Sequence, residues 1–222
     1  MRNTDTIATV RTEGHTHHRA PGLLSQGPQG RPPQWGTPAA RNPTAQPRNA
    51  RGASVNGDIR GIVLLAATVL TGLMAGIYFA FSVAVMPGLG RSDDRTFVEA
   101  MQRINVAIQN GWFGLAFGGA LVLGLVAAFQ HWHGEGRPAL PWIIAGVVLY
   151  VISLLITMGL SVPLNNQLAA AGSPGRIHDL AAVRARFEAT WVHWNVARTL
   201  VTTASLVCLA WAIRVARGAG RA

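Results

Sequence analysis

Four long apolar segments constrain the fold of this chain more than any other feature of its sequence. They span residues 62–85, 112–129, 142–162 and 196–215, and only the last contains charged residues, Arg198 and Arg214. Each segment has about the 17 to 25 residues that a helix needs to cross the hydrocarbon of a bilayer. Because a backbone in lipid must satisfy its own hydrogen bonds, the segments are predicted to be helices. The sequence therefore predicts an all-α integral membrane four-helix bundle.

The charge composition supports a membrane location. Only 13% of the 222 residues are charged, against about a quarter in soluble domains. The net charge of +10 would suit nucleic acid, but the basic residues, all arginine, concentrate in the N-terminal region, the loops and the C-terminus. That distribution is typical of the flanks of membrane spans, so membrane lipid is the expected partner and nucleic acid is not. The single cysteine, Cys208, allows no intramolecular disulfide and is predicted to be a packed thiol.

The first 57 residues differ from the rest of the chain. They hold seven proline, seven glycine and seven arginine residues and few large apolar ones, so this tail is predicted to be disordered. It is either a tether for anionic lipid, a weak metal-binding segment through His15, His17 and His18, or an inert extension, with Val55 as an alternative start. Residues 58–217 then form the four-span domain, and residues 218–222 form a basic C-terminal tail.

Arginine placement predicts the orientation of the bundle. Arginines flank the start of the first span and the end of the fourth, at Arg41, Arg48, Arg51, Arg60, Arg214, Arg217 and Arg221. By the positive-inside rule, both termini are predicted to be cytoplasmic in a multi-pass protein of the cell membrane. The connections at 87–111 and 163–194 then lie outside. Arg176, Arg184 and Arg186 in the second of these oppose that orientation.

The two outer connections are predicted to contain short amphipathic helices. Ser92 or Asp93 is suited to cap a helix that runs to about residue 110. After a Gly-Ser-Pro-Gly turn, a second helix is predicted to start near Asp179. No helix breaker follows it, so it is expected to continue through the fourth span to about residue 216.

Small residues recur on the first two spans. They are Gly72, Gly76, Ala80 and Ala84 on the first span, and Gly111, Gly114, Gly118 and Gly119 on the second. Such faces let helix backbones approach closely, so both are predicted to pack tightly.

A polar row on the fourth helix is the most informative pattern in the chain. Its members are spaced by three or four residues: Glu188, Trp191, Asn195, Arg198, Thr202 and Ser205. A charge at mid-bilayer costs roughly 2.5 to 3.5 kcal/mol, so Arg198 is expected to face the interior. Its candidate partners are Glu188 through a bridging group, Asn165, and carbonyls freed by Pro163. The alternative is that Arg198 snorkels to the head groups in an aromatic belt with Trp191 and Trp194.

A second polar row lies on the third span. It consists of Tyr150, Ser153, Thr157 and Ser161, and Asn165 continues it. These side chains share one face of a helix. Either they contribute to an interior polar pocket, or their hydroxyls bond to their own helix.

Several motifs give the chain a family resemblance over about residues 60–216. They are Gly76-x-Tyr78, Val85-Met86-Pro87-Gly88-Leu89, Phe97-x-x-Ala100-Met101-Gln102-x-Ile104-Asn105, Val162-Pro163-Leu164-Asn165-Asn166-x-Leu168, and Trp191-x-x-Trp194-Asn195-x-x-Arg198. Together they resemble the anthrone oxygenase-like family of small four-span membrane proteins. That family takes its name from fungal polyketide enzymes that oxidise anthrones to anthraquinones.

The resemblance implies a cofactor-independent oxygenase acting on an anthrone-like or other hydrophobic aromatic substrate. An anthrone anion reacts with dioxygen directly, so no cofactor is expected. The candidate catalytic residues are Arg198, Asn195 and Trp191, with Glu188 or His193 as base. His193 lies about 140° from Arg198 around the helix, which counts against it. The candidate substrate-binding residues are Asn165, Asn105, Tyr78, Tyr150 and Trp194. The alternative is a non-catalytic protein that binds a lipid-like ligand or a protein partner.

No metal site is predicted. His131-x-His133 is the only close histidine pair near the spans, and it falls in the predicted inner loop. His178 and His193 lie across the membrane from it, so no third histidine ligand is at hand. Haem is not expected either, because it requires axial ligands within the spans.

Overall fold

The computed structural model describes the backbone of residues 48–219 and the side chains of residues 57–134 and 136–219. Residues 1–47 of the predicted disordered tail and residues 220–222 lie outside these described residues, so disorder there stays a prediction. The prediction is wrong for residues 48–57, which form the start of the first helix. Within the described part the chain is helical and contains no strand, which confirms the all-α prediction. Four stretches are long and apolar enough to cross a membrane: Gly57–Leu89, Gly111–Gln130, Gly136–Ala170 and Leu180–Ala219.

The helices follow the predicted order, and three of the four spanning stretches extend well beyond the predicted spans. Seven α-helices are described: α1 (Arg48–Ala80), α2 (Met86–Leu89), α3 (Asp94–Ala107), α4 (Gly111–Gln130), α5 (Leu140–Ile156), α6 (Val162–Ala170) and α7 (Leu180–Ala219). Two 3₁₀ turns, Gly134–Ala139 and Pro174–Arg176, complete the connections. The single long helix α7 confirms the prediction that the second outer helix continues into the fourth span.

The bundle is a ring in which α1 and α5 each pack against both α4 and α7. We call the end that carries α3 and α6 the loop end. We call the end where α1 enters and α7 leaves the terminal end. At the loop end, Phe97 and Met101 of α3 are fully buried against Leu168 and Phe187. The amphipathic helix predicted for the first outer connection therefore covers the bundle and completes a core beyond the spans.

Helix caps fix the start of α3 and α4. The Asp93 carboxylate accepts hydrogen bonds from the Thr96 backbone N–H (3.0 Å) and the Thr96 hydroxyl (2.6 Å). These bonds hold the pKa of Asp93 below its usual value, so the stabilisation they give is lost as the pH falls through that lowered pKa. Asn110 caps α4 in the same way by accepting from the Phe113 N–H at 3.0 Å. Asp93 confirms one of the two predicted caps.

Two π-helical segments interrupt the first and third spans. They are Phe81–Val85, between α1 and α2, and Thr157–Ser161, between α5 and α6. Each is followed by one residue and then a proline, Pro87 or Pro163. A proline has no N–H to donate to the carbonyl four residues earlier, and its ring clashes with that carbonyl. The carbonyls affected here are those of Val83 and Gly159. The wider π turn accommodates the clash, and the helix then continues beyond the proline.

The predicted small-residue faces are largely unpacked within the chain. A Cβ on Gly72 would lie 3.6 Å from Leu206, but a Cβ on Gly76 would meet nothing within 4 Å. Ala80 and Ala84 are exposed. On α4, only Gly119 of the predicted face has a close neighbour, Leu70. The prediction of tight packing along these whole faces is therefore wrong for the described chain, because helical spacing identifies a face without identifying what lies opposite.

Close helix approach occurs instead at Gly146 of α5. A Cβ on Gly146 would lie 2.9 Å from Leu209 of α7. We expect Gly146→Ala to lower the free energy of unfolding by about 1 to 3 kcal/mol through overpacking. The matched change Gly76→Ala should leave stability unchanged or raise it by up to about 1 kcal/mol through helix propensity. Thermal unfolding of both variants in detergent measures the difference. An equal loss at Gly76 would show that its face is packed in the native protein.

Candidate functional site

Arg198 lies inside the bundle, as the polar row predicts. Its side chain is 5% exposed. Its Nη2 donates to Asn195 Oδ1 at 3.0 Å. The guanidinium also lies over two aromatic rings, 4.5 Å from the ring centre of Tyr78 and 5.4 Å from that of Trp191. Arg198 therefore does not snorkel to the head groups, and cation–π contacts stabilise it in place of an acidic partner.

Asn195 connects Arg198 to the first span. Its Nδ2 donates to the Tyr78 carbonyl at 2.9 Å and to Ser82 Oγ at 2.8 Å. Ser82 lies in the first π segment, and its hydroxyl is also 3.1 Å from Thr199 Oγ1. Because both ends of the Asn195 amide are used, its orientation is fixed and Tyr78 is held beneath the guanidinium.

Trp191 connects the site to the third span. Its indole N–H donates to Asn165 Oδ1 at 2.9 Å. Its ring packs against Phe81 and Phe187, with ring centres 5.5 and 6.1 Å apart. The indole N–H is therefore engaged, and the face of its ring is what Trp191 offers to Arg198.

The hydroxyl row of the third span is divided between three partners, and Ser153 is the member that bonds to α7. Thr202 Oγ1 is hydrogen-bonded to Ser153 Oγ at 2.8 Å. This bond and the Trp191–Asn165 bond together fix the register of the third span against the antiparallel helix α7. At 1.5 Å of rise per residue, this register places Thr157 at about the level of Arg198 and Ser161 at about the level of Asn195. Tyr150 donates to the Phe117 carbonyl at 2.9 Å and Thr157 to that of Ser153 at 2.8 Å.

Two buried polar atoms at this depth lack a partner. Arg198 Nε and Ser161 Oγ are buried and have no hydrogen bond within the described part of the chain. An unsatisfied buried polar group costs roughly 1 to 3 kcal/mol, and more when it is charged, so each of these atoms would gain from a hydrogen bond to water or a ligand. We use the term arginine site for Tyr78, Ser161, Trp191, Asn195 and Arg198.

Glu188 belongs to a different cluster. Its carboxylate accepts from Arg184 Nε at 2.6 Å. Arg184 also donates to Asp94 Oδ1 at 3.1 Å and to the carbonyls of Ser92 and Gly90 at 2.8 Å each. We call this set the Arg184 clamp. It fastens the connection before α3 to α7, and it gives the Glu188 carboxylate a partner other than Arg198.

His193 lies on another side of α7. It is exposed, with its ring edge against Trp194 at 5.2 Å between ring centres. His193 and Glu188 both line a shallow surface groove of about 530 Å³. The structure therefore brings Arg198, Asn195 and Trp191 together with the candidate binding residues Asn165 and Tyr78. It does not bring the two candidate bases to them.

The remaining candidate binding residues do not contact the guanidinium. Tyr150 is buried between α4 and α5, and Trp194 is half-buried beside His193. Asn105, at the end of α3, is half-buried, and its Nδ2 is a third buried atom without a partner. The sequence analysis missed Ser82, Thr199 and the π segments. The π segments could have been predicted from Pro87 and Pro163, which interrupt otherwise continuous helices.

The structure corrects the interpretation of His131 as part of an interfacial loop. It follows α4 directly, is 2% exposed, and lies with Nδ1 2.8 Å from the Ala127 carbonyl. The helix ends at Gln130, one residue beyond the predicted span, and the His131 backbone N–H still bonds to the Ala127 carbonyl, so the ring lies against the bundle. Among the described residues, no three histidine, cysteine or acidic side chains are grouped as metal ligands would be.

Comparison with protein families agrees with this arrangement. The model of the family described as anthrone oxygenase matches residues 110–208. Over these residues, which are under half of its length, the chain is similar to that family. The match runs from the start of α4 into α7, so it includes Asn165, Trp191, Asn195 and Arg198 of the candidate site. No curated protein and no solved structure gave a match. The predicted resemblance to the anthrone oxygenase family is thus confirmed, and the four apolar helices indicate a multi-pass membrane protein.

The Arg184 clamp gives a test of the loop end. We expect Arg184→Ala to destabilise the protein by about 1 to 3 kcal/mol, because it leaves two carbonyls and two carboxylates without their donor. Amide hydrogen exchange should accelerate across residues 90–94. Arg186→Ala is the matched control, since exposed Arg186 bonds, among the described residues, only to the Ala182 carbonyl of its own helix. Equal exchange in the two variants would contradict the clamp.

Proposed function

We propose that this protein is an oxygenase of hydrophobic aromatic compounds, with an anthrone-like substrate bound at the arginine site. The observation that carries the proposal is the state of Arg198. It is a buried cation without an acidic partner among the described residues, and its Nε–H has no hydrogen-bond acceptor there. The buried Ser161 hydroxyl, about one turn away along the bundle, is also without a partner among these residues. An oxygen of the substrate that gains negative charge would accept a hydrogen bond from the Arg198 Nε–H.

The reaction requires no electron carrier. Loss of a proton from the ring methylene of an anthrone gives an anion whose charge rests largely on the carbonyl oxygen. The methylene carbon then bonds to dioxygen, and a proton converts the product into a hydroperoxide. Breaking the O–O bond with loss of the second methylene hydrogen releases water and leaves a carbonyl. One anthrone and one dioxygen give one anthraquinone and one water, so atoms and electrons balance.

Arg198 would favour the first step by stabilising the anion. Hydrogen-bond donors and cations fixed in a water-poor site act most strongly on charge that develops during the reaction. Asn195 and the rings of Tyr78 and Trp191 hold the guanidinium in place before substrate binds. The apolar helices around it would accept a planar hydrophobic molecule from the lipid.

Proton transfer is assigned differently from the sequence prediction. Glu188 is bound to Arg184 and His193 is exposed on another side of α7. Tyr78 is the ionisable side chain in contact with Arg198. Within this proposal Tyr78 therefore replaces Glu188 and His193 as the candidate for accepting the methylene proton.

Oxygen consumption by the purified protein tests the proposal. With emodin anthrone, we expect uptake above the spontaneous rate. Arg198→Ala should reduce the catalysed part by about 100-fold or more, the usual effect of removing a group that stabilises an oxyanion. Arg198→Lys should restore only part of it, since lysine keeps the charge without the planar fork.

The control variant is Arg103→Ala, which removes an arginine from the exposed face of α3. It should keep full activity. Uptake no faster than the spontaneous rate, across several anthrones and with folded protein, would rule out this substrate class.

Isotope labelling tests the chemistry separately. Under ¹⁸O₂, one labelled oxygen atom is expected in each anthraquinone and the other in water, with one dioxygen consumed per product. Mass spectrometry of the quinone measures the incorporation, and a control in H₂¹⁸O corrects for carbonyl exchange. A new carbonyl labelled only from water would contradict direct reaction with dioxygen.

A non-catalytic role is the second candidate function. It is favoured by the absence of a carboxylate or histidine in contact with Arg198 among the described residues. A binding protein would retain an anthrone with an affinity that depends on Arg198 and would consume no oxygen. Equilibrium binding measured beside oxygen uptake on the same variants distinguishes the two functions.

A further inference from the structure

A groove lies at the terminal end of the bundle, on the opposite side of the spans from the arginine site. It has a volume of about 690 Å³ and lies between the start of the first span, the end of α7 and the connection after α4. Its apolar wall is formed by Ile62, Leu64, Leu65, Ile213 and Ala216. Its polar lining consists of Asp58, Arg60, His131 and Arg217. We call it the terminal groove.

The charges at its mouth are mainly positive. Arg60 and Arg217 contribute two guanidinium groups and Asp58 a single carboxylate. Among the described residues, neither arginine forms a salt bridge. Arg60 also borders a neighbouring groove of about 750 Å³ that is lined by Phe129 and Trp132. The arrangement therefore combines free cations with two adjoining apolar surfaces.

His131 is built into the wall of the groove. Its ring is held by a hydrogen bond of 2.8 Å between Nδ1 and the Ala127 carbonyl. On its other side the backbone of Gly136 passes so closely that a Cβ there would lie 2.9 Å from the ring. Because a carbonyl only accepts, Nδ1 must carry the proton and Nε2 is the nitrogen left for a ligand. A buried histidine with one nitrogen free adds a fixed polar group to the two flexible arginines.

Aromatic residues indicate that this mouth lies at the surface of the bilayer. Trp142 and Trp211 pack edge to face with ring centres 6.1 Å apart, and Arg214 lies 5.5 Å from the ring centre of Trp211. Trp132 is 54% exposed at the same end. Tryptophan and arginine side chains together are typical of the head-group layer.

From these observations we propose that the terminal groove binds an anionic phospholipid. The phosphate would lie against Arg60, Arg217 and His131, and the acyl chains would follow the apolar walls beneath. A soluble phosphate compound would use only the charged mouth, whereas a phospholipid uses both parts of the groove. The site is separate from the arginine site and does not depend on the proposed oxygenase activity.

Lipid retention by the full chain tests this proposal. The protein is purified in a mild detergent and titrated with phosphatidylglycerol or phosphatidylcholine, and native mass spectrometry counts the bound lipids. We expect selective binding of phosphatidylglycerol. The double change Arg60→Gln and Arg217→Gln should weaken this binding by about tenfold or more, since each arginine at a membrane surface contributes appreciably to anionic lipid binding.

Arg137→Gln is the matched control. Arg137 is exposed in the connection after α4, at the same end of the bundle, and does not line the groove. It should keep wild-type affinity. An equal loss of phosphatidylglycerol affinity in this variant would show that general surface charge causes the effect. Unchanged affinity in the double variant would exclude the site.

Two further measurements complete the test. Glycerol 1-phosphate and inorganic phosphate are added as competitors. Failure of both to displace phosphatidylglycerol supports a lipid site, and displacement by either at comparable concentration would assign the groove to a soluble phosphate. Thermal unfolding without added lipid should be alike in the double variant and wild type. A large loss of stability there would attribute the reduced binding to misfolding and overturn the assignment of these arginines.

Discussion

A guanidinium group inside the membrane is the constraint on which the rest of this structure depends. A charge costs roughly 2.5 to 3.5 kcal/mol at mid-bilayer and less towards the interface, and Arg198 has no carboxylate to offset its cost among the described residues. The bundle instead surrounds it with an amide oxygen and two aromatic faces. Asn195 is bonded to the first span and Trp191 to α6. Stabilising one cation thus ties three parts of the bundle together.

The two prolines have a related effect on the surrounding backbone. Each lies two residues after a π segment, and the segments are at the depth of Asn195 and Arg198. Irregular backbone at membrane depth is tolerated where it is buried in protein or lines a polar cavity. The segment from α1 to α3 and the segment from α5 to α7 have the same order of elements. In each, a span is followed by a π segment, a proline, a connection and a second helix. In the first segment, the second helix α3 ends before Asn110 and the next span, α4, is a separate helix. In the second segment, the second helix and the span form the single helix α7, which carries one polar row from the loop end to the arginine site.

The sequence was sufficient for the fold and for the face of α7 that matters, because hydrophobic length and helical period are local properties. The cap at Asp93 and the continuity of α7 followed from the same local rules. The contact partners of these side chains could not be predicted from local patterns. Glu188 lies on the correct face for Arg198, yet Arg184 is one turn away from it and binds it first. The small residues of the first span likewise define a face on which only Gly72 has a neighbour among the described residues, and only the tertiary arrangement identifies Gly146 as a point of close approach.

The competition between the two arginines has a chemical consequence. Opposite charges that approach within a few ångströms in a low-dielectric interior attract strongly, so an acid beside Arg198 would neutralise the charge that an anionic substrate needs. Arg184 engages both Glu188 and Asp94 at the loop end. The same contacts that fasten the connection before α3 therefore keep two carboxylates away from the arginine site. Arg198 remains a cation without a counter-charge, which suits the binding of an anion formed within the membrane.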